Sequence, residues 1–345
     1  MTRGYRQYSN IDLFKFIFAI VVVMIHTTPF KDVSKTTDWY FNNTFANLAV
    51  PFFFVASGFL LFDKLDGIRE NEVKRIKKYT VHLLRMFVTW SIIWLPWNIL
   101  HFMNVNFASD VVLKYIKNLI LVGGGGGAIW YLPALVIAIV IVYFMHTRIK
   151  SPTLTVIISL IPYIIGVLIS SWYEIFKDKT IIDLFYKVFA TVDNGVMLGV
   201  MFVAIGMYIS RVKPQGHKTK DLILCFSFFL LLVAEVILIK KMGYNKNGVC
   251  NPVTLPFVTY YLFKLILSVN LRDSKIYAKL RDYSTLIFLS HGIIIKLLNT
   301  AFAIINIEVS SAVVFIITIT LSLTFAIVVR YFAKERNLKF FKLLY

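Results

Sequence analysis

Apolar runs of about 20 residues recur along the whole chain, and no other feature limits the possible folds as strongly. They give the 345 residues a hydrophobic content of 58%, whereas charged residues make up only 16%. A run of this length crosses the hydrocarbon layer as an α-helix, because a helix hydrogen-bonds its own backbone. The sequence therefore predicts an all-α, polytopic transmembrane bundle. The predicted spans, about ten in all, are 11–29, 46–62, 83–103, 128–146, 153–171, 194–210, 221–239, 252–269, 283–303 and 311–330.

Lysine and arginine are distributed unequally between the two sets of loops. If the N-terminus lies inside, the inner segments hold about 23 basic residues and the outer segments hold about 10. Basic residues favour the cytoplasmic side, so the asymmetry predicts that both termini are cytoplasmic and that the number of spans is even. Basic inner loops also account for the formal net charge of +19, and we expect no nucleic-acid partner.

We expect residues 1–345 to form a single membrane domain, with no appended soluble domain and no cleavable signal peptide. The longest segments outside the predicted spans are 104–127 and 172–193, both on the outer side in this topology. The first contains an amphipathic segment that could lie on the membrane or re-enter it. Cys225 and Cys250 are far apart, and Cys225 lies in an apolar run, so we expect neither a disulfide nor a metal site.

The first predicted span carries the most informative polar residues. An ionisable side chain at membrane depth costs about 2.5–3.5 kcal/mol on insertion scales, so each is a functional candidate. Lys15 and His26 are close to three helical turns apart and share one face, separated by about 16 Å. Asp12 neighbours Lys15 on that face. His26 is suited to accept a proton near neutral pH. Alternatively, Lys15 extends to the inner interface and His26 only marks the outer end of the span.

Other polar residues in the spans are weaker candidates. Arg85 opens the third span, and it could act only as an interfacial anchor. Glu235 could line a pathway or pair with Lys240 or Lys241. His291 lies in the middle of its span, where the alternative to a functional role is a hydrogen bond between helices.

Two further segments combine aromatic and glycine residues. Trp130 and Tyr131 could be functional, or they could belong to an aromatic belt at the membrane interface. The glycine run 123–127 lacks the Lys-Ser/Thr pair of a phosphate-binding loop, so we interpret it as a flexible loop. Gly58 is expected to permit close helix packing.

Several segments together resemble the type 3 acyltransferase family of polytopic bacterial membrane proteins, which O-acylate surface glycans. Lys15, ten intervening residues and His26 are similar to the family's Arg-x10-His signature. The other matching segments follow in the family's order: VPFFFVASGFLLF at 50–62, the basic run leading to Arg85, WYLPAL at 130–135, NGVMLGVMFVAIG at 194–206 and STLIFLSHG at 284–292. Some look most like the membrane half of the vancomycin-resistance serine racemases, in which Glu235 also has a counterpart.

The chain departs from this pattern at three positions. Lys15 keeps the charge of the usual arginine but lacks its bidentate fork. Ala128 stands where the family often has a histidine two residues before the tryptophan, which leaves His26 as the expected sole base. Asp193 stands where the racemase branch has an arginine before Asn-Gly.

The resemblance implies transfer of an acyl group, expected to be acetyl, from cytoplasmic acyl-coenzyme A to a hydroxyl of a surface glycan or lipid-linked sugar. Acyl-coenzyme A is then a co-substrate, no cofactor is bound, and the protein lies in the bacterial cell membrane. His26 would be the general base. Lys15, Arg85, Lys74 and Lys78 would hold the donor's phosphates. The supporting or oxyanion-stabilising candidates are Asp12, Trp130, Tyr131, Asn194, Glu235 and His291.

Two other functions remain open at this point. The likeness to the racemase branch is compatible with a transporter for a small polar solute such as L-serine, in which Glu235, His26, His291 and Lys296 would line a pathway. A structural subunit of a glycan-export complex is the third alternative, and it does not account for the ordered set of motifs.

Overall fold

The computed structural model describes residues 8–124, 126–176, 179–243, 250–272 and 274–345, and its regular structure is helical. The helices are α1 (Ser9–Thr27), α2 (Lys35–Asn43), α3 (Ala49–Phe62), α4 (Arg69–Asn104), α5 (Ser109–Val122), α6 (Tyr131–Ile149), α7 (Pro152–Ser170), α8 (Thr180–Phe189), α9 (Val200–Val212), α10 (Lys218–Met242), α11 (Leu255–Leu267), α12 (Lys275–Ile304) and α13 (Ser311–Lys334). Short 3-10 helices precede α3 and α6, and a π-helical turn, Gly195–Gly199, precedes α9.

Every predicted span coincides with a helix, which confirms a multi-pass helical membrane protein. Among the described residues, nine helical segments are long and apolar enough to cross a bilayer. The helix at the predicted span 252–269 is not one of these nine, because α11 has only 13 residues. A helix of that length extends about 20 Å, less than the hydrocarbon thickness of about 30 Å. The structure therefore has a helix at this predicted span, but a shorter one than 252–269.

The chain divides into two compact units, and the first comprises 1–50, 216–226 and 260–345. At its centre α1 packs along α12, α12 packs along α13, and α1 also contacts α13. Asn10 fixes the start of α1, because its side-chain amide donates to the Ile266 carbonyl at 2.7 Å. These contacts bury one side of α1 rather than leaving it as a peripheral anchor.

The second unit comprises 51–215 and 227–259. Here α6, α7 and α9 pack against one another. The close approach of α3 and α9 depends on Gly58 and Gly206. A Cβ on Gly58 would lie 2.6 Å from the Val203 carbonyl oxygen, and a Cβ on Gly206 would lie 2.2 Å from that of Val55. The prediction that Gly58 permits close packing is confirmed.

The long segments between the predicted spans contain two short helices. α5 occupies the amphipathic segment within 104–127, and α8 lies within 172–193. The two helices contact each other, and the Lys117 ammonium donates to the carbonyl of Lys187. The glycine run connects α5 to the start of α6, as the predicted loop requires; Gly125 lies outside the described residues.

Candidate functional site

His26 and His291, which are 265 positions apart in the sequence, come together in the first unit. Their ring centroids lie 5.0 Å apart, and the ring planes are tilted by 34°. His26 is in the last turn of α1 and is exposed, whereas His291 of α12 is completely buried. The pair therefore joins one histidine at the surface of the protein to one that the protein surrounds completely.

The hydrogen bonds of His291 define its tautomer. Its Nδ1 lies 3.1 Å from the Ile287 carbonyl oxygen, one turn earlier on α12. A carbonyl only accepts hydrogen bonds, so Nδ1 carries the proton. In the neutral ring, Nε2 is then an acceptor, and it is buried without a hydrogen-bond partner among the described residues. An unpaired buried acceptor is costly to the fold and is characteristic of a functional site.

Three buried side-chain hydroxyls of the same unit likewise lack a hydrogen-bond partner among the described residues. The Oγ atoms of Ser290 and Ser322 and the Oγ1 of Thr318 are buried and lack a partner within the described part of the chain. Thr318 and Ser322 are one turn apart on α13, so both lie on the same helix face. We call His26, Ser290, His291, Thr318 and Ser322 the polar cluster of unit 1.

Ion pairs at one end of α12 and α13 give the depth of this cluster. Asp282 lies 3.3 Å from Arg330 Nε, so these two residues are at the same level. From there His291 is about 14 Å along α12, and Ser322 is about 12 Å along α13, at 1.5 Å per residue. The two helices run in opposite directions, so His291 and Ser322 lie at a similar depth, near the middle of the predicted spans.

The charged end of unit 1 is a network around two buried aspartates. Asp12 of α1 lies 3.8 Å from Arg281 of α12. Asp282 interacts with Arg281, Arg330 and Lys334, at 3.9, 3.3 and 2.7 Å. Asp12 thus joins α1 to α12 at the end where the sequence predicts the cytoplasm.

Lys15 lies one turn beyond Asp12 on α1 and is half-buried. Its position preserves the predicted arrangement, with Lys15 toward the charged end of the helix and His26 in its last turn. One helix thus carries a cation near the charged network and the exposed imidazole of the polar cluster.

The other predicted donor-binding cations belong to the second unit. Lys74, Lys78 and Arg85 are exposed and lie on α4. Their spacing of four and seven residues places them along one side of the helix over about 16 Å. The structure therefore arranges them as a cationic stripe, which we define as these three residues.

Tyr131 is in the interior of the second unit. Its hydroxyl lies 3.2 Å from the Ser57 Oγ, and its ring packs 4.7 Å from that of Phe54. Only 7% of Tyr131 is exposed. The alternative interpretation as a residue of an interfacial belt is therefore wrong for Tyr131.

Glu235 has partners other than the lysines suggested by the sequence. Its carboxylate accepts hydrogen bonds from the backbone N–H groups of Val253 and Thr254, at 2.7 and 3.1 Å, and from the Thr254 hydroxyl at 2.8 Å. These donors directly precede α11, so Glu235 caps the N-terminus of that short helix and complements its dipole.

Asn194 is likewise a helix cap. Its Oδ1 accepts from the N–H groups of Val196 and Met197, both at 2.9 Å, and its amide donates to the Thr191 carbonyl. Trp130 ends the 3-10 helix before α6 and is half-buried at the edge of a cavity that also contains the glycine turn. Asn194 thus stabilises the turn before α9, whereas Trp130 presents a surface to the cavity.

Sequence reasoning did not identify the three hydroxyl residues or the Asp282 network. Thr318 and Ser322 carried a usable signal, since two hydroxyls one turn apart in an apolar span share a face. Serine and threonine are nevertheless common in membrane helices, where they often bond to their own backbone. Only the packing of α12 against α13 shows that these hydroxyls are buried at about the depth of His291.

The long apolar helices and the polar cluster define a multi-pass membrane protein with reactive side chains at membrane depth. A family model for an acyltransferase domain matches residues 8–331. The chain therefore belongs to this family, the type 3 acyltransferases, and the resemblance found in the sequence is confirmed.

Similar proteins are enterococcal racemases. An amino-acid racemase of Enterococcus faecalis is 31% identical over 271 residues, which cover 77% of this chain and 37% of the racemase. Another amino-acid racemase of E. faecalis is 25% identical over 92% of this chain and 45% of its own length. A serine/alanine racemase of Enterococcus gallinarum is 23% identical over 75% of this chain and 37% of its own length. The chain spans less than half the length of these relatives. No solved structure matches it.

Proposed function

We propose that this membrane acyltransferase transfers an acyl group, acetyl in the simplest case, from cytoplasmic acyl-coenzyme A to a hydroxyl of a surface glycan or lipid-linked sugar in the bacterial cell membrane. The observation that carries the proposal is the contact between exposed His26 and buried His291. Membership of an acyltransferase family makes acyl transfer the chemistry to which we assign this pair.

His26 is the general base of the proposed reaction. It removes the proton of the acceptor hydroxyl while the hydroxyl oxygen bonds to the carbonyl carbon of the thioester. The carbon–sulfur bond then breaks, and the coenzyme A thiolate leaves and receives a proton. The products are an O-acyl ester and free coenzyme A. General-base catalysis of this kind contributes about 10²–10⁴-fold to the rate.

His291 is a positioning residue in this mechanism. Its Nδ1–H donates to the Ile287 carbonyl, which leaves Nε2 as an acceptor in a buried ring next to His26. A neutral neighbour with a free lone pair favours the protonated form of His26, in which both ring nitrogens are donors. A second positive charge at His291 would oppose protonation of His26, so the neutral tautomer is the active one.

The candidates for binding the phosphates of acyl-coenzyme A are Lys15 in the first unit and the cationic stripe Lys74, Lys78 and Arg85 in the second unit. Each of these cations can make charge-assisted hydrogen bonds to a phosphate. The developing oxyanion requires hydrogen-bond donors, and Tyr131, Trp130 and Arg85 remain the candidates. Asp12 supports the first unit through its ion pair, and Asn194 and Glu235 support the second unit through the helix caps described above.

Replacement of His26 by alanine tests this function. In membranes incubated with radiolabelled acetyl-coenzyme A, we expect H26A to reduce acetylation of the glycan fraction by about 10²–10⁴-fold. His101 is also an exposed histidine in a long apolar helix, so H101A is the matched control. Wild-type acetylation by H26A, or an equal loss in H101A, would contradict the assignment of the base.

The names of the relatives support a second candidate, the uptake of an amino acid such as L-serine. The relatives are called amino-acid or serine/alanine racemases, and this chain aligns with 37–45% of their length. Proteoliposomes separate the two functions when labelled serine uptake and acetyl-coenzyme A consumption are measured in one preparation. Uptake without thioester consumption would contradict the acyltransferase proposal, whereas consumption without uptake would exclude the transporter.

A further inference from the structure

A cavity lies beside the first two turns of α10, at the end of the helix that the lysine and arginine asymmetry places in the cytoplasm. Its volume is about 550 Å³, and its described lining residues are His217, Lys218, Thr219, Lys220, Ile223 and Leu224. All six belong to the first unit. The mechanism proposed above assigns no ligand to this cavity.

The charged side of the cavity is positive. Lys218 and Lys220 are exposed, and neither forms an ion pair with a residue that the structure describes. The carboxylate next to them in the sequence, Asp221, does not offset their charge, because it is buried and its Oδ1 lies 2.7 Å from the Lys264 ammonium. The two lysines are therefore available to an anion.

The apolar side of the cavity continues into a surface that faces lipid. More than half of each of the side chains of Leu222, Ile223 and Phe226 is exposed. α10 is also the least buried of the nine long segments found among the described residues. Exposed apolar side chains on such a helix contact the acyl chains of the bilayer, because no water is present at that depth.

The order of charged and apolar groups along α10 narrows the class of ligand. Lys220, Ile223 and Leu224 are three and four residues apart, so they share one face of the helix. The charge lies only about 5–6 Å along the axis from the apolar side chains. A phospholipid has the same order, with its phosphate directly adjoining its acyl chains. A soluble anion would match the lysines but not the lipid-facing side chains beside them.

We propose that this cavity binds the headgroup of an anionic phospholipid of the inner leaflet, with the phosphate between Lys218 and Lys220 and the acyl chains along Leu222, Ile223 and Phe226. Clusters of basic residues at the cytoplasmic end of a membrane helix are typical of sites for anionic lipid headgroups. The inference goes beyond the proposed function, and lipid binding does not require acyl transfer.

The test uses Cys225, which follows the cavity on α10, as a reporter. Cys225 is half-buried and Cys250 is buried, so a thiol-reactive bimane attaches to Cys225 in the full chain. The labelled protein is placed in phosphatidylcholine nanodiscs that contain a small, equal fraction of either brominated phosphatidylglycerol or brominated phosphatidylcholine. Quenching of the bimane by bromine measures which lipid occupies the adjacent position.

The two lysines predict the size of the preference. A lysine near an anionic lipid contributes about 1 kcal/mol, so the pair should favour phosphatidylglycerol over phosphatidylcholine by about 30-fold. The double variant K218A/K220A should abolish this preference, and K218R/K220R, which keeps both charges, should retain it. All of these substitutions are at exposed side chains, so we expect the variants to fold.

A matched variant separates a local site from general attraction to a basic protein. The chain has a formal net charge of +19, so anionic lipid should gather along its whole inner surface. Lys275 and Lys279 are exposed lysines in the first two turns of α12, in the same unit. Their double variant K275A/K279A loses the same charge and should keep the preference of the wild type.

Three results would overturn the proposal. The first is equal quenching of the wild type by the two brominated lipids. The second is the same preference in K218A/K220A as in K275A/K279A. The third is relief of the quenching by acetyl-coenzyme A or inorganic phosphate, which would assign the cavity to a soluble anion. The variant H26A should keep the lipid preference although acetyl transfer is lost, so the inference and the proposed function can fail separately.

Discussion

A neutral histidine has one nitrogen that donates and one that accepts, and the environment of His291 determines which is which. Because the Ile287 carbonyl can only accept, Nδ1 holds the proton and Nε2 is left as a buried acceptor. At the scale of single residues, this makes His291 a partner for a group that gains a proton. The exposed ring of His26, 5.0 Å away, is such a group.

The variant H291F tests this partnership. Phenylalanine keeps the aromatic ring but removes both nitrogens, so we expect kcat to fall about tenfold while KM for acyl-coenzyme A stays unchanged. The variant H291Q offers an amide oxygen as an acceptor and should retain more activity than H291F. A purely structural role would instead lower the thermal stability of both variants and affect kcat and KM together.

Helices carry the functional residues at the next scale, and several do so through their regular spacing. α1 carries Lys15 and His26 on one face, and α4 carries the cationic stripe. α11 is shorter than a bilayer-spanning helix, and its contacts with α10 explain how it is held. Glu235 caps its first turn, and Lys264 near its end lies 2.7 Å from Asp221.

The cationic stripe predicts a change in donor affinity. Exposed charge pairs contribute about 0.2–1 kcal/mol each, so the double variant K74A/K78A should raise KM for acyl-coenzyme A about two- to thirtyfold. The effect should shrink at high salt because exposed charges are screened, and kcat should change little. K339A/K342A removes two exposed lysines near the C-terminus and serves as the control. Equal KM values for both double variants would exclude the stripe as a donor site.

The cap at Glu235 predicts a loss of stability rather than of chemistry. Glutamine replaces one carboxylate oxygen by an NH2 group and removes the charge, which leaves one of the two N–H donors of the 253–254 turn without its acceptor. Such a loss costs about 1–3 kcal/mol. We expect E235Q to unfold at a lower temperature than the wild type in detergent, whereas E335Q, at an exposed glutamate, should not. An unchanged unfolding temperature for E235Q would show that the cap is dispensable.

At the scale of the whole molecule, the number of membrane crossings determines where the C-terminus lies. The nine long helical segments among the described residues would place the two termini on opposite sides of the membrane. If α11 crosses as a tenth segment, both termini lie on the same side. The asymmetry of lysine and arginine favours ten crossings with both termini in the cytoplasm.

Single cysteines test this topology. In a background lacking Cys225 and Cys250, we expect a membrane-impermeant maleimide to label N106C in intact cells. H217C and N270C should be labelled only after lysis. Labelling of N270C in intact cells would show that α11 does not cross. Labelling of H217C in intact cells would show that the protein has the opposite orientation.

The sequence determined the helical membrane fold, since a bilayer leaves a long apolar run no alternative to a helix. It also determined the family and the candidates Lys15 and His26, because helical spacing is a local property. Other features depended on residues far apart in the chain. The contact of His26 with His291, the burial of Tyr131 and the capping role of Glu235 arise from helix packing. The sequence shows that a polar residue in an apolar span is costly to bury, but it does not show which residues that side chain contacts. Only the tertiary structure identified those contacts.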